Sequence, residues 1–252
     1  MIGIFDSGLG GLSVMRAIRD VLPSADIVYF GDTKRAPYGE KSPAELAQLT
    51  VAGFTLLKAH GATRVVSACN SVSTSLALSL LDASGLSLAD VVEMVGPTVR
   101  YLKDSDARIL LVATTATVRS GIYQNAFHMM GKTITAHAIP ELAGALERGG
   151  GTKEQVALIT TALRDVDLTQ FDMVIFGCTH FPFAHEAFRI VMPTMTFFDP
   201  AVAVADRVRR LFWPQEVGDG VSRFLVSRAS DAFLARAQEL FPDEQIHIEV
   251  VE

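Results

Sequence analysis

Short apolar runs that end in small polar residues, each followed by a stretch of helical spacing, recur along the whole chain. "MIGIF" runs into a glycine turn and then "GLSVMRAIRDVLP"; "ADIVYFGD" precedes "SPAELAQLTVAGFTLLKAHGA"; "TRVVSACN" precedes "SVSTSLALSLLDAS". The second half continues with the strands "ARILLVAT", "TITAHAIP" and "FDMVIFGCTH", the helices "SGIYQNAFHMM", "TKEQVALITTALRDV" and "AVAVADRVRRLF", and then "SRFLVS", "DAFLARAQELF" and "IHIEVV". Parallel neighbours need a long crossover, usually a helix, so this alternation predicts an α/β fold with largely parallel sheets flanked by helices. The clearest helix starts at Ser42 as N-cap, with Pro43 in the first turn, Glu45 three residues on and Gly61 past the end.

The pattern also echoes itself. "RVVSACNS" and "MVIFGCTH" are both strands closing on small–Cys–polar–polar, and "IGIFDSGLGG" matches "ILLVATTATVRSG" more loosely. Two similar lobes facing each other would produce the echo, although α/β strand ends commonly resemble one another. The expected division is residues 1–95 plus 208–252 as one lobe, holding Asp6 and Cys69. Residues 96–207 form the other, holding Thr114, Cys178 and His180.

Composition removes several function classes. With 252 residues, 49% hydrophobic and 20% charged, the chain can bury a large core, and it has no membrane-length apolar run. A net charge of −6 gives no electrostatic footprint for nucleic acid or an anionic membrane surface. "MIGIFDSGLGG" lacks the charged and apolar regions of a signal peptide, which predicts a cytoplasmic chain with reduced thiols. Two cysteines are too few for a disulfide framework and lack zinc-ligand spacing.

Three stretches carry candidate chemistry. In "FDSGLGGLS" the glycines permit a tight turn, but the spacing is not that of a dinucleotide loop, leaving Asp6 and Ser7 at a strand's C-terminal end. "GDTKRAPYGEKS" reads as a surface loop, or as one folded over a cleft that offers the Tyr38 and Gly39 N–H groups to a carboxylate. The strongest signal is the cysteine pair. A single cysteine is most often a small buried hydrophobe, yet Cys69 and Cys178 both follow strands, where a helix N-terminus would lower the thiol pKa. A Cys/His hydrolase needs one thiolate, and a redox dithiol needs two thiols close together in sequence. Two thiols on opposite faces of one carbon suit two-base racemisation, one removing the α-proton and the other delivering a proton to the far face. Asp6 and His180 could manage the protonation of one thiol each. His180 and His185 lack metalloprotease spacing, and no lysine sits in a pyridoxal phosphate context, so neither a metal nor a cofactor is expected.

Five blocks, "GIFDSGLGGLSV", "YFGDTKRAPYG", "SACNSVS", "ATTATVRSGIY" and "FGCTHFP", stand in the order found in the glutamate racemases. The chain resembles that group, within the cofactor-independent aspartate/glutamate racemase superfamily, along nearly its whole length. The resemblance implies two similar α/β lobes with the active site in the cleft between them, Cys69 and Cys178 as acid/base thiols, and Asp6 and His180 as their assistants. Ser7, Pro37, Tyr38, Gly39, Asn70, Ser71, Thr114, Thr117 and Thr179 would hold the amino acid, with Glu147 near the cleft. It further implies D-glutamate for peptidoglycan and a homodimer. Ser71 stands where threonine is usual, Ala113 and Ala116 replace glycines, and Ile139 replaces a frequent cysteine. An aspartate or other small-carboxylate racemase, and an inactive amino-acid-binding regulatory protein, are the competing readings.

Overall fold

The computed structural model describes residues 1–76 and 78–251; Ala77, inside the expected helix 71–84, and Glu252, the last residue of the expected first lobe, lie outside the described residues. The strands are β1 (Ile2–Asp6), β2 (Ile27–Gly31), β3 (Arg64–Ser67), β4 (Val91–Val92), β5 (Ile109–Ala113), β6 (Thr135–Ala138), β7 (Met173–Gly177), β8 (Thr196–Phe198), β9 (Ser222–Val226) and β10 (Ile248–Val250). They form two sheets, one ordered β10-β9-β2-β1-β3-β4 and the other β6-β5-β7-β8. Every pairing is parallel. The α/β expectation therefore holds, with six strands in the first sheet and four in the second.

Both faces of each sheet are covered, which explains why the strands read as unbroken apolar runs. Side chains alternate between faces along a strand. Ile2, Ile4 and Tyr29 enter the core shared with helices Leu12–Val21, Ala201–Phe212 and Asp231–Leu240. Phe5, Val28 and Phe30 point to the opposite face, under helix Pro43–Ala59. In the second sheet Leu110, Val112, Val174 and Phe176 face one core, and Ile109, Leu111 and Ile175 the other. Each fully buried side chain of this size contributes about 1.5–3 kcal/mol of transfer free energy. Helix Ala201–Phe212 sinks Ala201, Val204, Ala205, Val208 and Phe212 into the first sheet's core.

Helix Pro43–Ala59 begins with the expected capping box: Glu45 N–H donates to Ser42 Oγ, and Ser42 N–H donates to the Glu45 carboxylate. The expected helix 71–84 is corrected. It is broken into Asn70–Ser73 and Leu78–Ala83. Ser73, Thr74 and Ser75 return their hydroxyls to the carbonyls of Cys69, Ser71 and Val72, the local competition that makes such residues poor helix interiors. Four short helices, Val95–Tyr101, Thr115–Ser120, Leu142–Glu147 and His185–Val191, and the strands β4 and β8 lie outside the sequence expectation. No helix among the described residues is long and apolar enough to cross a membrane.

Candidate active site

Parallel strands deliver the residues after their C-terminal ends to one edge of a sheet, where ligands of such folds bind. Here the edges of both sheets meet. Ser7 follows β1, Cys69 and Asn70 follow β3, Thr114 follows β5, and Cys178 to His180 follow β7. The loop after β2 adds Pro37, Tyr38 and Gly39. Together with Ser71 and Ala143 these residues line one narrow cavity, in which a water-sized sphere finds only about 10 Å³ of room. Both cysteines are therefore walls of the same space, one supplied by each sheet, and both are free thiols.

Five hydrogen bonds stitch the two sides together around this cavity. Thr179 Oγ1 donates to Asp6 Oδ1 at 3.1 Å, Leu9 N–H donates to Glu147 Oε1 at 2.8 Å, and Tyr123 donates to Asn70 Oδ1 at 2.6 Å. Ser71 and Thr114 share a hydroxyl contact of 3.0 Å, and Ala116 N–H donates to Gly39 O at 2.7 Å. The approach is close enough to require glycine at two points. A Cβ on Gly8 would lie 1.8 Å from Glu147 Oε1, and one on Gly10 would lie 2.4 Å from Thr179 Oγ1 and 2.5 Å from His180 Nδ1.

Three of the expected site residues stand behind the lining. Asp6 faces Thr179 Oγ1 and accepts from Gly8 N–H at 2.9 Å. Burial pushes its carboxyl pKa up, against the charge of His180 and the Gly8 hydrogen bond. Thr117 holds Thr114 through a hydroxyl contact of 3.0 Å and donates its N–H to Thr114 Oγ1, which caps the helix Thr115–Ser120. Glu147, on helix Leu142–Glu147, contacts His180 Nε2 at 2.6 Å through the same oxygen that receives Leu9. Tyr38 lines the cavity while its hydroxyl donates to buried Asp32, which also receives Ser227.

The two thiols have different surroundings. Cys178 Sγ lies 3.7 Å from His180 Nδ1, so sulfur, imidazole and Glu147 form a line. Burial opposes a charged His180, but the Cys178 and Glu147 contacts outweigh it and hold the pKa well above the ordinary histidine range. Burial likewise opposes the Glu147 charge, and the His180 hydrogen bond reverses that effect, leaving its pKa lowered. The pair is consequently an imidazolium and a carboxylate. Cys69 sits 3.7 Å from Ser7 Oγ. The expectation that a helix N-terminus lowers its pKa is corrected: the thiol is pushed up to about 12. Burial is the largest cause and the Asp6 charge adds to it, while the Val72 N–H of a helix only four residues long gives too little in return.

Sequence reasoning missed Ala143, Leu9 and Tyr123. Ala143 offers only a methyl group, Leu9 acts through its backbone, and Tyr123 lies inside a core, so none carries a local chemical signal. Among the described residues no group of His, Cys, Asp and Glu has the arrangement of a metal site.

Comparison with known proteins places this geometry. A family model described as Asp/Glu/Hydantoin racemase matches residues 4–208. A glutamate racemase of Desulforudis audaxviator is 33% identical, the match covering 96% of this chain and 94% of the relative. The glutamate racemase of Thermus thermophilus, solved with β-chloro-D-alanine, is 32% identical with a TM-score of 0.81, covering 99% of this chain and 96% of that one. The Bacillus anthracis glutamate racemase isoform RacE1 superposes with a TM-score of 0.87 at 26% identity, over 100% and 97% of the two chains.

Proposed function

The chain belongs to the Asp/Glu/hydantoin racemase family, and we propose that it interconverts L- and D-glutamate by exchanging the α-proton between Cys69 and Cys178. The observation that carries this reading is the placement of both free thiols, from separate sheets, on the walls of one narrow cavity. Relatives at 33% and 32% identity that are themselves glutamate racemases support glutamate as the substrate. The product serves peptidoglycan synthesis, the role of the glutamate racemases.

The chemistry needs no atoms beyond substrate and protein. One thiolate accepts the α-proton, the C–H electron pair delocalises into the carboxylate, and the opposite thiol donates its proton to the other face of the same carbon. The thiol and thiolate exchange roles in each turnover and reset by proton exchange with solvent. With its pKa near 12, Cys69 waits as the thiol. On the other side His180, held as imidazolium by Glu147, can donate through Nδ1 towards Cys178 and stabilise negative charge on that sulfur. Asp6 is the proton-handling neighbour of Cys69, and Glu147 acts on Cys178 through His180. Backbone N–H groups of the Tyr38–Gly39 loop, Asn70, and the hydroxyls of Ser7, Ser71, Thr114 and Thr179 supply donors for the carboxylates and the developing charge. Thr117 fixes Thr114.

The cavity is too narrow for an amino acid as it stands, so the two halves separate to admit one and close to exclude water. We assign those halves as two lobes, residues 1–95 with the C-terminal portion and the segment from 96. The packing of helix Ala201–Phe212 on the first core supports a return near Pro200, ahead of the expected residue 208. The working protein is a cytoplasmic homodimer. The test is incubation of L-glutamate with pure protein in D₂O, followed by chiral separation and NMR. D-glutamate bearing α-deuterium is expected; absence of both product and deuterium overturns the proposal.

A further inference from the structure

Asn70 opens the short helix beside Cys69, is 1% exposed and borders the cavity. Its Nδ2 has no hydrogen-bond partner among the described residues. A buried donor left so costs about 1–3 kcal/mol unless something compensates. The other end of the same amide is firmly held, since the Tyr123 hydroxyl donates to Oδ1 at 2.6 Å. Tyr123 is wholly buried on helix Ile122–Met129, in the core around β5 and β7. Burial pushes its phenol far above the ordinary range, so it remains an O–H donor throughout the working pH. One hydrogen bond thus joins the two halves of the molecule and decides which end of the amide stays free.

That choice has chemical weight. The two ends of an asparagine amide are alike in shape and opposite in hydrogen-bond sense, one accepting and the other offering two N–H groups. Facing a carboxylate, the nitrogen attracts and the oxygen repels. We propose that Tyr123 is a positioning residue: by donating to Asn70 Oδ1 across the two halves, it locks the amide so that Nδ2 faces a carboxylate of the substrate. The identity of that substrate rests on the racemase reading above. The lock also couples substrate recognition to closure, because Asn70 is oriented only when the halves are together.

The test is steady-state kinetics and calorimetric glutamate binding for Tyr123→Phe, Asn70→Ala and the double variant, with melting temperatures for each. Tyr123→Phe keeps the ring and its packing and should raise KM and Kd roughly ten-fold, the scale of one charge-assisted hydrogen bond, with kcat changing less. The double variant should match Asn70→Ala, since without the amide the hydroxyl has nothing to orient. Asn70→Asp leaves an acceptor for Tyr123 but turns a carboxylate oxygen toward the substrate, and should weaken binding at least as much as alanine. A Tyr123→Phe enzyme with unchanged KM and Kd, or KM effects that multiply in the double variant, overturns the assignment. So does a lowered melting temperature with binding intact. A wild-type protein that neither binds nor racemises glutamate sinks the racemase reading itself, and the proposal with it; normal wild-type turnover beside an unaffected Tyr123→Phe sinks the positioning role alone.

Discussion

Gly10→Ala is a one-methyl test of how closely the two halves must meet. The added Cβ would lie 2.4 Å from Thr179 Oγ1, 2.5 Å from His180 Nδ1 and 2.7 Å from His180 Cε1, where ordinary contact begins at 3.4 Å. The groups must therefore part by about 1 Å (3.4 less 2.4). None of them is free to yield without consequence. The Thr179 hydroxyl is bonded to Asp6, and the His180 ring is pinned between Cys178 and Glu147. The displacement falls on the residues next to one thiol, and a misplacement of about 1 Å costs on the order of 100-fold in rate. Overpacking of this kind destabilises by about 1–3 kcal/mol, and each kcal/mol lowers the melting temperature of a chain this long by about 2–4 °C. The assay is the initial rate of glutamate racemisation followed by circular dichroism, alongside scanning calorimetry. Gly151→Ala is the control, since nothing lies within 4 Å of its Cβ position, and it should keep wild-type turnover. If Gly10→Ala also keeps wild-type kcat, the close approach of the halves is not needed for catalysis and the reasoning fails.

Two further outcomes follow from the protonation pattern. With its pKa near 12, the Cys69 thiol should retain its infrared S–H band in alkaline buffer in a Cys178→Ala background; loss of that band near neutral pH would contradict the burial argument. The His180–Glu147 pair should also shape stability. The folded-state pKa of His180 is raised, so its contribution is complete below about 6.5 and is lost as pH rises through the folded value. That of Glu147 is lowered, so its contribution is present above about 4.5 and disappears as pH falls. In urea unfolding, the advantage of wild type over His180→Gln should shrink as the pH rises above about 6.5. A gap that does not change with pH removes the case for a buried imidazolium.

What could be read in the sequence tracks what is decided locally. Apolar runs of two-sided burial marked eight of the ten strands among the described residues, β4 and β8 being too short to show, and the Ser42–Glu45 capping box marked the start of its helix. The meeting of Ser7, Cys69, Thr114 and Cys178 was legible because parallel strands bring their C-terminal ends to one edge. The break after Ser73 was not, since it depends on three hydroxyls preferring nearby carbonyls to a continued helix. Helices Thr115–Ser120 and Leu142–Glu147 are too short for periodicity to show. The direction of the Cys69 shift was hidden for another reason. The strand-end position was visible, but the full burial needs the second half in place, and the nearby Asp6 charge comes from the pairing of β1 with β3. Tyr123 is the extreme case, a core residue whose role depends on a partner from the other sheet.

The central claim is that each thiol serves one face of the α-carbon, and the initial isotope distribution in D₂O tests it most directly. Starting from unlabelled L-glutamate, the first D-glutamate formed should carry deuterium at the α-position while the remaining L-glutamate stays unlabelled, because the proton is taken by one sulfur and replaced from the other. Cys69→Ala and Cys178→Ala should each abolish formation of the opposite enantiomer. Deuterium appearing in L-glutamate as fast as in D-glutamate, or substantial racemisation by either single variant, would contradict the account.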